Sequence, residues 1–272
     1  MKEVETRDLP PRVDTKPAFS GKGFILEAQP IEVLKSKSPI YEHMLRPWNP
    51  EFYQVPRTPI AVGEIKDKKT FSREAPEIVK LMSSMPIKLP GESTYHIPIE
   101  LKQFEEAIQM FVNHVAATNP DLKEKYFAYV STQQSLVEAQ TTQRLPGAHV
   151  DGLQIATFPN TVPPELTCVA VDFDPTTFYP GQTIDFTGIK PTPQAYSKAI
   201  REQSDQKRAV QGLPYVGYLF DSYFPHSTTL ATEDMTRTLI RVEFSQRDYQ
   251  TPDVLTGNRP VVNPLFAARQ SK

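Results

Sequence analysis

Proline occupies 27 of the 272 positions, against 11 glycines, and no other feature narrows the fold as much. A proline inside a helix removes a hydrogen bond and clashes with the preceding turn, and it pushes the residue before it into extended conformations. Long helices are therefore excluded over most of the chain, and short strands joined by turns are favoured over a helical bundle. The load is heaviest over residues 1–60, from Pro10 to Pro59. Phe24, Ile25, Leu26, Trp48, Phe52 and Tyr53 give that stretch more apolar side chains than a disordered tail carries. It is expected to form an arm packed on the core, with residues 61–272 as the main domain.

Two helices are expected after the arm, near 74–85 and near 99–117. In the second, Leu101, Phe104, Ile108, Phe111, Val112 and Val115 recur at three- and four-residue spacing, which gives the helix one buried face. From Tyr126 onward the texture changes to short runs rich in β-branched and aromatic residues, namely YFAYVST, SLVEAQTTQ, LTCVAVDF, QTIDFTGI, PYVGYLF and RTLIRVEFS. A third helix near 194–207 interrupts them and is polar on most faces, as a surface lid or connector would be. The predicted fold class is α+β: a sandwich or jelly-roll core with flanking helices packed outside it.

Thirty Lys and Arg against 32 Asp and Glu give a formal charge of −2, so there is no basic excess to neutralise a phosphate backbone, and nucleic acid is not an expected partner. A single cysteine, Cys168, rules out an intrachain disulfide framework and any metal site built from several thiolates. The thiol usage suits a reducing cytoplasm. Apolar runs fall short of the roughly 20 residues that span a bilayer, and the first residues lack the apolar segment of a secretion signal, so no membrane is expected and the location expected is cytoplasmic.

Chemistry concentrates in QRLPGAHVDGLQ. His149 and Asp151 are separated by one residue, and at an extended strand end such a pair projects to one side, where an imidazole and a carboxylate can take adjacent positions on one metal ion. His226 follows the apolar run PYVGYLF and would complete a face of two histidines and one carboxylate. That set leaves three positions of an octahedral metal open and suits non-haem ferrous iron, whereas a structural zinc would call for a fourth protein ligand. Asp221, Ser222 and Tyr223 are candidates to orient the second ring nitrogen of His226, and Asp221 could equally end a strand. His114, beside the stripe of the second helix, is read as a core-edge residue. Asp172, Asp174 and Asp185 lack the spacing of a calcium loop and are read as solvated turns.

In RTLIRVEFS, Arg237, Leu239 and Arg241 share one strand face and Thr238, Ile240 and Val242 the other, so both guanidinium groups are expected to point inward. Two inward arginines need anionic partners, and a carboxylate, bound through two parallel hydrogen bonds, meets that need. One partner could be an internal acid such as Glu243.

The order His149-x-Asp151, then His226, then an arginine eleven or fifteen residues on resembles the ferrous iron and 2-oxoglutarate-dependent dioxygenase superfamily, with the likeness covering about residues 126–247. The resemblance implies a double-stranded β-helix, a jelly-roll variant. It implies Fe(II) held by His149, Asp151 and His226, with 2-oxoglutarate as co-substrate bound through Arg237 or Arg241 and dioxygen as oxidant. Tyr129, Gln134 and Thr142 are candidates for its second polar contact. The activity implied is hydroxylation or desaturation of an unactivated C–H bond of a small, anionic or zwitterionic molecule. Arg144, Gln143 and Gln154 flank the metal pair as candidate substrate contacts. Two alternatives stay open: a jelly-roll binding protein without catalysis, and a cupin-like metalloenzyme that does not use 2-oxoglutarate.

Overall fold

The two longest strands, β5 (Phe127–Val137) and β11 (Met235–Ser245), pair antiparallel over their whole length from Met235↔Val137 to Ser245↔Phe127. A computed structural model describes the chain at residues 18–29, 31, 40, 46–119, 121–144, 146–151, 165–249 and 261–266. Around the β5–β11 pair it places β2 (Ile60–Glu64), β3 (Leu81–Lys88), β6 (Leu166–Val171) and β9 (Val216–Asp221) in a six-stranded sheet of order β2-β9-β6-β11-β5-β3. A second, three-stranded sheet has β7 (Thr177–Phe178) at its centre, between β10 (His226–Ser227) and β8 (Val210–Gln211). β1 (Gly23–Glu27) and β4 (Thr94–Pro98) form a separate pair, and every pairing is antiparallel.

Among the described residues, the helices that can be given in full are α1 (Lys68–Phe71), α2 (Glu77–Lys80), α3 (Glu105–Thr118), α4 (Leu122–Lys125) and α5 (Pro193–Gln203). α3 is the helix expected near 99–117, entered through a 3-10 turn over Ile99–Phe104. Its Ile108, Phe111, Val112 and Val115 are buried against Cys168, Ala170, Leu219, Ile240, Val242 and Phe244 of the large sheet. Glu105 and Glu106 in its first turn suit the positive end of the helix dipole. Glu106 also accepts the Lys66 and Asp67 amides at 2.7 and 3.0 Å, which ties the exit of β2 to the helix start. The opposite face of the sheet meets the small sheet: Phe178 of β7 packs with Val169, Val171, Phe220 and Leu239. Helix, large sheet and small sheet thus form successive layers. β6 lies between two neighbours and under both layers, so all six of its residues are buried, as strands covered on both faces are.

The stretch 74–85 departs from expectation. Only Glu77–Lys80 is helical, and Leu81–Lys88 is the edge strand β3 paired with β5. Ile78, Val79, Met82 and Met85 fit a helical stripe by spacing, but the free edge of β5 offers backbone hydrogen bonds, which β3 takes with register shifts between Met82 and Met85 and between Pro86 and Lys88, and tertiary pairing overrides so weak a local preference. The third helix lies over Pro193–Gln203, followed by a 3-10 turn over Gln206–Arg208, and it buries Tyr196, Ala199 and Ile200.

Several described residues among the first 60 contact the rest of the chain. β1 adds to β4, Leu26 and Ile40 join the core under α3, and Trp48, Phe52 and Tyr53 lie against Phe186, Tyr196 and Tyr223. Arg57 makes a fully buried ion pair with Asp221 at 2.9 Å. Among the described residues no helix is long and apolar enough to cross a membrane.

Candidate metal centre

His149 and His226 are neighbours through their backbones. Each amide donates to the other's carbonyl at 2.9 Å, an isolated antiparallel bridge at the edge of the small sheet. Val150 turns away into an apolar cluster, and Asp151 comes back to the histidine side, as the alternation of an extended segment requires. His149, Asp151 and His226 offer ligand atoms that all lie within 4.8 Å of one another, and among the described residues this is the one cluster of three or more such groups able to hold a metal.

The tautomers are set for coordination. His149 donates from Nδ1 to the Gly147 carbonyl at 3.0 Å, and His226 donates from Nδ1 to the Phe224 carbonyl at 3.1 Å. A carbonyl only accepts, so each Nδ1 carries the hydrogen and each Nε2 keeps its lone pair. Metal-bound histidines characteristically have their second nitrogen tied in this way. The expected orienting group for His226 is therefore corrected: the Phe224 carbonyl does the work, while the Asp221 carboxylate is taken by Arg57 and by the Tyr223 amide at 3.1 Å. His226 Nε2 stands 3.8 Å from Asp151 Oδ2, and the two imidazole rings are 4.5 Å apart between centroids. His226 is buried while His149 and Asp151 are half-buried, so the cluster is open on one side.

Electrostatics favour the states a metal needs. Burial pushes the His226 pKa down to about 4, against the pull of Asp151, so the ring is neutral at pH 7. Burial alone would raise the Asp151 carboxyl, but Arg241, then His226 and His149, and the Thr167 hydroxyl outweigh it and hold the group well below the usual carboxylate range. A site with two imidazoles whose Nδ1 atoms are tied to carbonyls and one ionised carboxylate, open on one side, fits a divalent first-row metal with exchangeable positions. Its donor set is one that ferrous iron accepts.

Both arginines of β11 lie on the face expected. Arg237 is 2% exposed, its Nε donating to the Phe173 and Asp174 carbonyls at 3.0 and 3.2 Å and its Nη1 to the Gln143 side-chain oxygen. Burial lowers its pKa to about 10, with Asp172 and Asp174 opposing. Among the described residues no carboxylate comes within ion-pair distance of it, and its Nη2 has no acceptor. Arg241 differs: it pairs with Asp151 Oδ1 through Nη1 at 3.2 Å and with Glu243 Oε2 through Nη2 at 3.3 Å. Near Glu243 lies Glu165, whose carboxyl is pushed up to about 8 by burial first and by Glu243 second. It accepts from the Tyr249 hydroxyl, and from Ser245 at 3.5 Å.

Of the flanking residues, Gln143 is engaged at both ends of its amide, donating to the Arg237 carbonyl at 2.8 Å and to Ser135 at 3.2 Å while accepting from Arg237. Arg144 is exposed, and the Arg241 charge lowers its pKa ahead of desolvation. Gln154 lies outside the described residues. Gln134 is turned to the α3 side of the sheet, where it accepts from the Ala75 amide at 2.7 Å and donates to Thr238 at 2.9 Å. Tyr129 does face the site side, but its hydroxyl donates to the Arg247 carbonyl at 2.9 Å and accepts from the Tyr249 amide at 3.0 Å. His114 is buried on α3, away from the cluster. Asp172 is corrected from a solvated turn: it is buried and accepts from the Thr238 and Phe173 amides at 2.7 and 2.9 Å. Residue type alone did not point to Thr167, whose hydroxyl donates to Asp151 Oδ2 at 3.0 Å. A lone hydroxyl residue in the otherwise apolar run LTCVAV was its only signal.

No protein-family model matches the sequence, and no curated protein does. Among solved structures, the chain is similar to EvdO2 from Micromonospora carbonacea var. aurantiaca (TM-score 0.35, 15% identity, 53% of this chain and 64% of that one). Less than two thirds of that protein's length is therefore spanned. It is also similar to EvdO2 complexed with 2-oxoglutarate (TM-score 0.35, 14% identity, 60% and 76%) and to AviO1 from Streptomyces viridochromogenes Tue57 (TM-score 0.38, 12% identity, 79% and 96%). Backbone likeness this distant says nothing about side-chain chemistry.

Proposed function

We propose that the chain is a ferrous iron and 2-oxoglutarate-dependent oxygenase acting on a small molecule, and that its two facing sheets are the halves of a double-stranded β-helix. The observation that carries the reading is the convergence of His149, Asp151 and His226 with both Nδ1 atoms tied to backbone carbonyls. With iron, 2-oxoglutarate and dioxygen bound, such a site would couple oxidation of a substrate C–H bond to conversion of 2-oxoglutarate into succinate and carbon dioxide. The chain's own part is to hold and orient. Arg237 is the arginine for the distal carboxylate of 2-oxoglutarate: it is buried, lacks a carboxylate partner among the described residues, and has Nη2 to offer. A buried guanidinium held only by neutral oxygens is costly, and a bound anion offsets that cost. Gln143 keeps the guanidinium in place, and the exposed guanidinium of Arg144 suits a negatively charged part of a substrate.

A second reading, a jelly-roll binding protein without catalysis, is favoured by one observation: Arg241 is already paired with internal acids. Anaerobic titration of the ferrous protein with 2-oxoglutarate separates the two. A visible charge-transfer band that saturates with 2-oxoglutarate and is absent in His149→Ala supports the oxygenase. Iron binding with an unchanged spectrum supports a cupin-like metalloenzyme that does not use 2-oxoglutarate, and no iron binding supports the binding protein.

A further inference from the structure

We infer that Arg241 and Glu243 serve the metal carboxylate: they form a strand-borne chain that fixes the orientation of Asp151, and Arg241 is a positioning residue that does not dock the co-substrate. The inference rests on the metal-site reading above. Asp151 needs such help because of where it stands. It is two residues past the last bridged position of its segment, in a turn, so no strand ladder holds its backbone. Its side chain is gripped instead from the large sheet. Oδ1 accepts from Arg241 Nη1 on β11 at 3.2 Å, and Oδ2 accepts from the Thr167 hydroxyl on β6 at 3.0 Å. With a donor on each oxygen, rotation of the carboxylate would break both bonds, and Oδ2 stays on the His226 side, 3.8 Å from Nε2.

The register of the sheet makes this grip possible. Arg241 is opposite Val169, and Glu243 is opposite Thr167. The two donors to Asp151 and the acid that holds Arg241 therefore stand on one face, on adjacent strands, two residues apart. Glu243 Oε2 takes Nη2 of the same guanidinium at 3.3 Å and is itself approached by Ser131 at 3.5 Å from β5. A planar guanidinium can hold two acids at once through separate nitrogens, which the single nitrogen of a lysine cannot. Arg241 Nε is buried with no hydrogen-bond partner among the described residues. The group is thus aimed by its two acids and not by the best use of all its donors.

The test compares metal affinity with 2-oxoglutarate affinity in the full chain, using anaerobic cobalt(II) as the probe and its visible spectrum as the signal. Wild type should bind one cobalt ion and His149→Ala should not; failure here sinks the metal-site reading itself. Given that binding, Arg241→Lys should weaken cobalt ten- to a hundredfold, the range for loss of a group that orients a ligand. At saturating metal its 2-oxoglutarate affinity should stay within about twofold of wild type, because a residue that acts only through Asp151 is bypassed once the metal is held. Arg237→Lys should do the reverse. Thr167→Val keeps the shape, removes the second donor, and should also weaken cobalt, so the point stands tested even if Arg241→Lys does not fold. Wild-type cobalt affinity in Arg241→Lys or Thr167→Val, or weakened 2-oxoglutarate with normal cobalt in Arg241→Lys, overturns the inference and leaves the metal site intact.

Discussion

The two faces of β11 have the same backbone and opposite chemistry. Toward α3 the strand presents Ile240, Val242 and Phe244, all fully buried in the largest apolar cluster. Toward the small sheet it presents Arg237, Leu239, Arg241, Glu243 and Ser245, and only Leu239 of these joins an apolar cluster. The first face takes its stability from area removed from water, which is non-directional and tolerant of detail. The second holds buried charges, each of which must be matched by a particular partner at a particular distance. One face keeps the protein folded, and the other, at some cost in folding energy, positions a site.

The comparison can be broken most completely from the site side. His149→Ala should abolish cobalt binding, measured by titration, while its far-ultraviolet circular dichroism remains that of wild type. A loss of structure together with metal would mean the faces are not separable. The converse change, Phe244→Ala, removes a fully buried ring and should cost about 3–5 kcal/mol in denaturant unfolding. The fraction still folded should bind metal as wild type does.

Acidity sharpens the contrast next. In the metal-free protein His226 resists protonation to about pH 4, whereas the unfolded chain takes up its proton near 6.5. Between those values the unfolded state binds the extra proton, so stability falls as the pH is lowered through that window, by at most about 3 kcal/mol, and is unaffected above it. Unfolding curves of wild type and His226→Gln between pH 7 and 4 should therefore converge; curves that stay parallel would mean the ring is not held neutral. The smallest expected effect is at Gln143→Ala. It removes one hydrogen bond to the Arg237 guanidinium and should raise the KM for 2-oxoglutarate about tenfold, equivalent to about 1.4 kcal/mol, with kcat little changed. A change in kcat alone would place Gln143 elsewhere in the reaction.

The α3 stripe, most of the β texture after Tyr126 and the alternation across residues 237–242 could be read from the chain, because each is a period or a composition within one segment, but the run QTIDFTGI is turn and extended loop and SLVEAQTTQ is strand only through Val137. The helix expected over 74–85 could not be corrected locally. Its apolar spacing is compatible with either state, and the outcome depended on the open edge of β5, more than 40 residues away. The partners of individual charges were just as hidden. Asp221 lies five residues before His226 yet faces Arg57 from the amino-terminal segment, and nothing in its neighbourhood announces that.

Residue type and spacing by themselves determined which side chains could bind a metal, since His149, Asp151 and His226 were the chemically suited set and Val150 had to point the other way. Only the tertiary structure decided that they meet, which carbonyls fix the imidazoles, and that of two arginines on one face Arg241 is taken by Asp151 and Glu243 while Arg237 is not. The reason is physical. Periodicity fixes the direction of a side chain relative to its own strand, but the distance between charges on different strands is set by register and layer packing, which belong to the whole fold.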